Sequence, residues 1–191
     1  MQLSLLQPNE IITTPGKCRN DPAEGTVKDD EYNSPEWLWK LGLKVFGIEE
    51  YDLDPATNET STVPAHTKFH LWDDGLTRRW RVPKRKITRG WLNPPFSKNE
   101  QFADKLIAEY QEGGLEMIVL DKHDHRVAWW WNLEAVATGL CIIRGYVKFD
   151  GHKTPYRFPV SVFYFGLDYE KFKQVFKNYG LCINLEQERN S

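Results

Sequence analysis

Cysteine is scarce in this chain. The 191 residues include three, Cys18, Cys141 and Cys182, which are widely spaced and form no Cys-x-x-Cys pair. An odd number at such spacings predicts neither a disulfide framework nor a zinc site. We therefore expect free, buried thiols and no bound metal.

Long apolar runs are also missing. No stretch approaches the roughly 20 apolar residues that span a bilayer, and the start of the chain, Met1–Leu6, lacks the basic flank of a signal peptide. We therefore expect a cytoplasmic protein without a membrane partner.

Neither sign of charge dominates. There are 25 basic and 27 acidic residues, for a net charge of −2, which argues against a generally cationic nucleic-acid-binding protein. However, residues 78–89 contain seven basic residues and no acid. Such a basic run is either a solvated loop or a rim that contacts phosphates. We predict the rim, because the run lies just before the polar turn Asn93-Pro94-Pro95-Phe96. Its members are Arg78, Arg79, Arg81, Lys84, Arg85, Lys86 and Arg89.

Internal repeats are absent, and the length fits one domain. Residues 1–30 mix Pro, Gly, Asn and charged residues without a period, so we expect an extended or poorly ordered N-terminal arm. The remaining residues, 31–191, are predicted to form a single domain.

Strand-like and helix-like patterns alternate along this domain. Ser34-Pro35-Glu36 is typical of a helix start, with Ser34 as the N-cap and Pro35 at the first helical position. The alternation predicts an α/β fold in three layers, with a mostly parallel sheet and a C-terminal antiparallel hairpin. Predicted helices span 34–46, 99–111, 127–137 and 168–177, and predicted strands span 51–54, 69–72, 87–92, 115–120, 140–143 and 160–165.

The residue types of Trp91–Ser97, Trp-Leu-Asn-Pro-Pro-Phe-Ser, imply a reaction. Pro94 and Pro95 have fixed φ angles and no N–H, so they hold the neighbouring carbonyls in set directions. Asn93 adds a side-chain carbonyl, and two adjacent acceptors suit a planar exocyclic amine. Phe96 offers a flat face on which a heterocyclic base can stack. The turn follows a predicted strand, which is where open α/β sheets bind ligands.

Six short motifs occur in one order between residues 32 and 166. Together they resemble the phage-encoded DNA N6-adenine methyltransferase family, a compact branch of the Rossmann-like, S-adenosylmethionine-dependent methyltransferases. The resemblance implies a Rossmann-like sheet, S-adenosylmethionine as cofactor and DNA as partner, in the host-cell cytoplasm if the gene is phage-encoded. The motifs are Ser34-Pro35-x-Trp37, Asp52-Leu53-Asp54-Pro55-Ala56, Asp73-Asp74-Gly75-Leu76 with Trp80 following, Trp91–Ser97, Arg144-Gly145-x-x-Lys148-Phe149 and Phe158-Pro159.

The resemblance also implies the roles of individual residues. Asn93, Pro94 and Phe96, with Pro95 between them, match the catalytic motif that holds the target amine and stacks the base. Asp54 matches the acid that pairs with the ammonium group of the cofactor, and either Asp73 or Asp74 is placed like the acid that binds the cofactor's adenine. The residues that match cofactor-binding motifs are Ser34, Pro35, Asp54, Pro55, Ala56, Asp73 and Asp74.

Some features depart from the family pattern. The glycine-rich loop of the wider superfamily is missing after Asp54, and Phe96 replaces the commoner Tyr. Methyl transfer to the exocyclic amine of cytosine, transfer to a protein glutamine amide, and a catalytically idle DNA-binding protein on the same fold therefore stay open. No Cys lies near the Asn-Pro-Pro-Phe turn, which argues against the ring-carbon route to methylcytosine.

His123 and His125 flank an acid after a predicted strand, and alternate residues of an extended segment share a face. Two histidines without a third ligand give weak support for a metal site, so we predict that they contact DNA instead.

The predicted reaction is direct methyl transfer to an adenine that has left the DNA stack. No separate target-recognition domain is evident in 191 residues, which favours a short or relaxed recognition site. The oligomeric state is not predicted.

Overall fold

The computed structural model describes residues 32–191. The predicted N-terminal arm, residues 1–30, and Cys18 lie outside the described residues. Two 3₁₀ helices, Leu71–Asp73 and Phe96–Lys98, occur in connections. The α-helices are α1 Glu36–Phe46, α2 Asn99–Gln111, α3 Ala128–Val136, α4 Tyr169–Phe176 and α5 Leu185–Arg189, and the strands are β1 Tyr51–Asp54, β2 Ala65–Lys68, β3 Thr88–Leu92, β4 Leu115–Lys122, β5 Gly139–Ile143, β6 Val160–Phe165 and β7 Gly180–Asn184.

The strands of the described chain form one sheet with the order β2-β1-β3-β4-β6-β5-β7. Strands β2, β1, β3 and β4 are parallel to one another. Strand β6 is antiparallel to both β4 and β5, and β7 is antiparallel to β5. Strands β1 to β5 therefore run in one direction and β6 and β7 in the other. The mixed α/β class and the antiparallel pairing of β5 with β6 are confirmed.

Alternating side chains of the strands supply a core on each face of the sheet. In β3, the neighbouring residues Trp91 and Leu92 belong to different cores. Helices α1 and α4 pack on the face of Trp91, whereas α2 and α3 pack on the face of Leu92. Full burial of a side chain such as Leu92 contributes about 1.5–3 kcal/mol, so packing on both faces holds the turn that follows this strand.

One predicted strand is wrong. Residues 69–72 leave the sheet, and the side chains of Leu71 and Trp72 in the first 3₁₀ helix are 80% and 69% exposed. The strand in this part of the chain is β2, which has no apolar run and pairs with β1. Backbone hydrogen bonds to its neighbour stabilise such an edge strand. The pattern of apolar residues gives no information about these hydrogen bonds.

The chain after residue 177, for which we predicted no helix or strand, contains both. Strand β7 pairs with β5, which places Cys182 opposite Cys141, and α5 buries Leu185. Both elements are five residues long, which is too short for a clear hydrophobic period. No helix among residues 32–191 is both long and apolar enough to cross a membrane.

Candidate active site

The candidate site lies at the carboxyl edge of the parallel strands. Strand β1 ends at Asp54, and Asn93 directly follows the neighbouring strand β3. A cavity of about 710 Å³ opens at this edge, lined by segments that follow β1, β2 and β3 and by residues just before α1. The predicted site residues among its lining are Ser34, Asp54, Pro55, Ala56, Asp74, Asn93 and Pro95.

Asp54 brings a buried carboxylate to the cavity. The residue is 3% exposed, and the carboxylate accepts a hydrogen bond from the backbone N–H of Ala56 at 3.1 Å. Burial raises the pKa of Asp54 to about 6, although hydrogen bonds and the nearby side chains of Lys68 and His70 act to lower it. A desolvated carboxylate in this setting gains from a cationic partner in the cavity.

The side-chain amide of Asn93 is held in one orientation. Its Nδ2 donates to the main-chain carbonyl of Tyr32 at 2.6 Å, so Oδ1 is the atom left to accept a hydrogen. Within the described residues, this buried Oδ1 has no hydrogen-bond partner. Leaving a buried acceptor unpaired costs about 1–3 kcal/mol, and a ligand that donates an N–H to Oδ1 recovers this free energy.

The turn after Asn93 is rigid. Pro94 is buried, and Pro95 has the extended angles φ −59° and ψ 127° before the chain enters the second 3₁₀ helix and α2. A buried pair that our sequence analysis missed anchors the start of α2: Asn99 Nδ2 donates to Asp121 Oδ1 at 2.7 Å. Burial raises the pKa of Asp121 to about 8, so this acid is largely protonated at neutral pH. The only sequence signal was an acid after an apolar run.

Phe96 does not line the cavity but belongs to an aromatic cluster, defined here as Tyr32, Phe96, Phe149, His152 and Tyr156. Its ring centroid lies 5.3 Å from that of Tyr32 and 5.2 Å from that of Tyr156. The ring of Tyr32 in turn stacks on His152 at 4.4 Å. Rings of the protein itself therefore already pack against Phe96.

Ser34 and Pro35 lie differently from the prediction. The expectation that Ser34 caps the first helix is wrong, because α1 begins at Glu36 with Pro35 as its N-cap residue. The hydroxyl of Ser34 instead accepts a hydrogen bond from the indole N–H of Trp91 at 2.8 Å. This contact places Ser34 at the cavity, whereas Pro35 does not line it.

The structure separates the two candidate acids after β2. Asp74 lines the cavity, whereas Asp73 does not and accepts a hydrogen bond from the backbone N–H of His70 at 3.0 Å. The lining also contains His70, Lys98 and Gln101, which our sequence analysis did not select because no motif marks them.

Two members of the basic run lie away from the cavity. Arg85 pairs with Asp52 in β1, and Arg89 pairs with Glu116 in β4, with N–O distances of 2.9 and 2.8 Å. Both contacts lie towards the amino ends of these strands, and Arg89 is separated from Asn93 by roughly 13 Å of strand.

The other members of the run are largely engaged with the protein. Arg79 forms ion pairs with Glu109 and Glu112. Arg78 and Arg81 donate to the main-chain carbonyls of Asp73 and Glu109. Lys84 and Lys86 are exposed. Contact of the run with DNA stays a prediction.

His123 and His125 follow the end of β4 at Lys122 and do not line the cavity. The Nδ1 of His123 is 2.7 Å from the hydroxyl of Ser161, and its ring packs edge-on against Trp130. Partial burial lowers the pKa of His123. Contact of these histidines with DNA also stays a prediction.

Comparison with known proteins gives a family and a relative. The family model described as DNA N-6-adenine-methyltransferase (Dam) matches residues 24–161. A protein of Escherichia phage T1 named DNA N-6-adenine-methyltransferase is 31% identical over 97 residues, which cover 48% of this chain and 38% of the phage protein. Because the family model covers well over half of the residues, the chain belongs to the DNA N-6-adenine-methyltransferase (Dam) family.

Proposed function

We propose that this chain transfers a methyl group from S-adenosylmethionine to the exocyclic N6 amine of adenine in DNA. Family membership supports the reaction class and the substrate. The observation that carries the proposal to particular residues is the buried, unpaired Oδ1 of Asn93, at a cavity that also contains the buried carboxylate of Asp54. An acceptor for the target amine and a binding group for a cationic cofactor thus lie at one edge of the sheet.

The residues around the cavity fit the cofactor. A volume of about 710 Å³ is within the range of roughly 300–1,000 Å³ that small-molecule sites have. Asp54, at the head of the Pro55-Ala56 turn, would pair with the ammonium group through charge-assisted hydrogen bonds. Asp74 would accept a hydrogen bond from the amine of the cofactor's adenine. When bound, the cofactor supplies a methyl group that is already activated for transfer.

Asn93 and the prolines orient the target amine. Oδ1 of Asn93 accepts one amine hydrogen and the main-chain carbonyl of Pro94 accepts the other, which concentrates the lone pair on the nitrogen. The bond from Asn93 to Tyr32 and the fixed φ angles of Pro94 and Pro95 preorganise both acceptors, so positioning supplies most of the rate enhancement. Phe96 stacks the flipped adenine after a ring of the aromatic cluster has moved aside.

We also propose that the sheet is the Rossmann-like sheet of the methyltransferases. Strands β1 to β5 run in one direction, helices pack on both faces and the cavity lies at the carboxyl edge, as in other open α/β folds. The family favours adenine in DNA over the cytosine, glutamine and idle-protein alternatives, and no contact in the described residues favours one of those three.

The proposal is tested by replacing Asn93. We expect Asn93→Ala to lower the rate of N6-methyladenine formation in duplex DNA by about 100-fold or more, as for the loss of a transition-state hydrogen bond, with unchanged cofactor affinity by calorimetry. Asn132→Ala, an exposed position on α3, is the matched control and should keep full activity. Mass spectrometry of the nucleosides identifies the product. Methylated cytosine, or a variant with a tenth of the normal rate, would contradict the proposal.

A further inference from the structure

The loop between β5 and β6 lies against the catalytic turn. Three of its aromatic side chains, Phe149, His152 and Tyr156, belong to the aromatic cluster and contact the ring of Tyr32. Tyr156 also contacts Phe96, with ring centroids 5.2 Å apart. The backbone of Asp150 bridges to Asn33, next to Tyr32. These contacts place the β5–β6 loop, residues 144–159, beside the position where a target base has to enter.

Positive charge is concentrated on the same loop. Lys148, Lys153 and Arg157 are exposed, and each is the sequence neighbour of one of the three aromatic residues. Within residues 32–191, no ion pair joins any of these three cations to a carboxylate. The guanidinium of Arg157 lies 4.6 Å from the centroid of the Phe158 ring, and this cation–π contact favours one position of the Arg157 side chain on the loop.

Asp150, the acid in this loop, is partly exposed. Partial burial raises its pKa, whereas the backbone of Glu36 at the start of α1 and the charge of Lys148 act to lower it. A single acid beside three exposed cations leaves the loop with a net positive charge. The basic run differs in this respect, because Arg79, Arg85 and Arg89 are paired with Glu112, Asp52 and Glu116.

We propose that the β5–β6 loop binds the phosphates that flank the target base, through Lys148, Lys153 and Arg157. This surface rests on the proposed function, since it takes DNA as the substrate. The aromatic contacts fix the loop beside the turn that contains Asn93 and Phe96, and the three exposed cations then face a backbone that carries one negative charge per nucleotide. Arg85 and Arg89 of the basic run pair with acids towards the amino ends of β1 and β4, away from this edge of the sheet.

The salt dependence of DNA binding tests this surface. The loop variant is Lys148→Gln with Lys153→Gln, and the matched control is Lys171→Gln with Lys177→Gln, which removes the same charge from exposed positions in α4 and just after it. Anisotropy of a labelled duplex is measured over a series of salt concentrations. Each lost phosphate contact flattens the plot of log affinity against log salt by about 0.9, so the loop variant should flatten it by about 1.8. The control should keep the slope of the unaltered chain, and Arg157→Gln should flatten it by about 0.9 on its own.

Cofactor affinity, measured by calorimetry, should stay unchanged in all three variants, which shows that each is folded. A loop variant with the original slope, or a control that loses as much as the loop variant, would overturn the proposed surface while leaving methylation of DNA in place. If the unaltered chain binds no duplex, or binds one with an affinity that does not depend on salt, DNA is not the substrate, and the proposed surface is overturned with it.

Discussion

Asp54 and Asp121 are both aspartates at the carboxyl edge of the sheet, and burial raises the pKa of both. Their surroundings differ. Asp54 lines the cavity, where a cationic ligand can reach it, whereas Asp121 is enclosed with Asn99. The same residue type is therefore a candidate binding group in one position and a structural acid in the other.

Cofactor binding should depend on the ionisation of Asp54. Because its pKa in the free chain is about 6, only the carboxylate that predominates above this pH can pair with an ammonium group. Affinity for S-adenosylmethionine should therefore fall by up to tenfold per pH unit below about 6, as calorimetry between pH 5 and 8 will show. Asp54→Asn should abolish this dependence and weaken binding by about 1–3 kcal/mol. Asp73→Asn, which alters an acid outside the cavity, should retain it, and a pH-independent affinity of the unaltered chain would contradict the assignment.

Asp121 should govern part of the pH dependence of stability. Its pKa of about 8 lies above the ordinary value of 3.8, so the folded chain holds this proton more tightly than the unfolded chain. The resulting stability is present at low pH and is lost as pH rises from about 4 through 8. Asp121→Asn keeps an acceptor for Asn99 and cannot ionise. It should therefore raise the free energy of unfolding by several kcal/mol at pH 9, since each unit of the pKa shift corresponds to about 1.4 kcal/mol, and change it little at pH 4.

Urea unfolding at the two pH values measures this difference. The matched control is Asp104→Asn, which alters an exposed acid on α2 and should change neither value. Equal effects of the two substitutions at pH 9 would show that burial does not disfavour the ionised form of Asp121.

At the scale of elements, the cavity depends on a close approach between two loops. A Cβ on Gly75 would lie 2.0 Å from the carbonyl oxygen of Pro55, so the loops after β1 and β2 touch through backbone atoms. The carbonyl of Gly75 also accepts a hydrogen bond from the indole of Trp80, which is fully buried. The position of Asp74 at the cavity therefore depends on a glycine at residue 75.

Gly75→Ala should force these loops apart. We expect a loss of about 1–3 kcal/mol in the free energy of unfolding and a weaker affinity for S-adenosylmethionine, measured by urea titration and calorimetry. Gly113→Ala is the control, because its Cβ meets no neighbour although its φ is +77°, and it lies after α2. It should lower stability without changing cofactor affinity. Normal cofactor binding by Gly75→Ala would show that the approach of the loops does not shape the site.

At the scale of the whole molecule, the middle of the sheet is completed by a late segment of the chain. Strand β6 is buried along its whole length and lies between β4 and β5. Helix α4 then contributes the fully buried Phe172 and Phe176 to the core that also contains Trp91. The family match ends at residue 161, yet the elements after it complete the core below the candidate site.

A chain that ends at Gly166 should therefore fail to unfold cooperatively. It retains β6 but lacks α4, β7 and α5, which leaves α1 as the only helix on the face of Trp91 and β5 as an open edge. Circular dichroism during urea unfolding should show a broad transition or aggregation. Removal of Asn190 and Ser191 alone is the control and should leave a sharp transition. Cooperative unfolding of the shortened chain would show that the early elements form an independent core.

Several features were predictable from the sequence because they depend on neighbours along the chain. Helical periods located α1 to α4 within a few residues, and apolar runs located β1, β3, β4, β5 and β6. The Asn-Pro-Pro-Phe turn was predictable for the same reason, since proline restricts its own φ and the conformation of the residue before it. The acid at the end of β1 and the turn after β3 were therefore identified before their spatial relation was known.

Contacts between distant parts of the chain decided the rest. Only the folded chain shows that Arg85 pairs with Asp52, that Asp74 rather than Asp73 lines the cavity, and that Tyr32 orients Asn93. Likewise, β2 and β7 are strands because of their neighbours and not because of their own residues. Burial, ion pairing and hydrogen bonding depend on which segments meet in space, and periodicity along one segment carries no information about its partners.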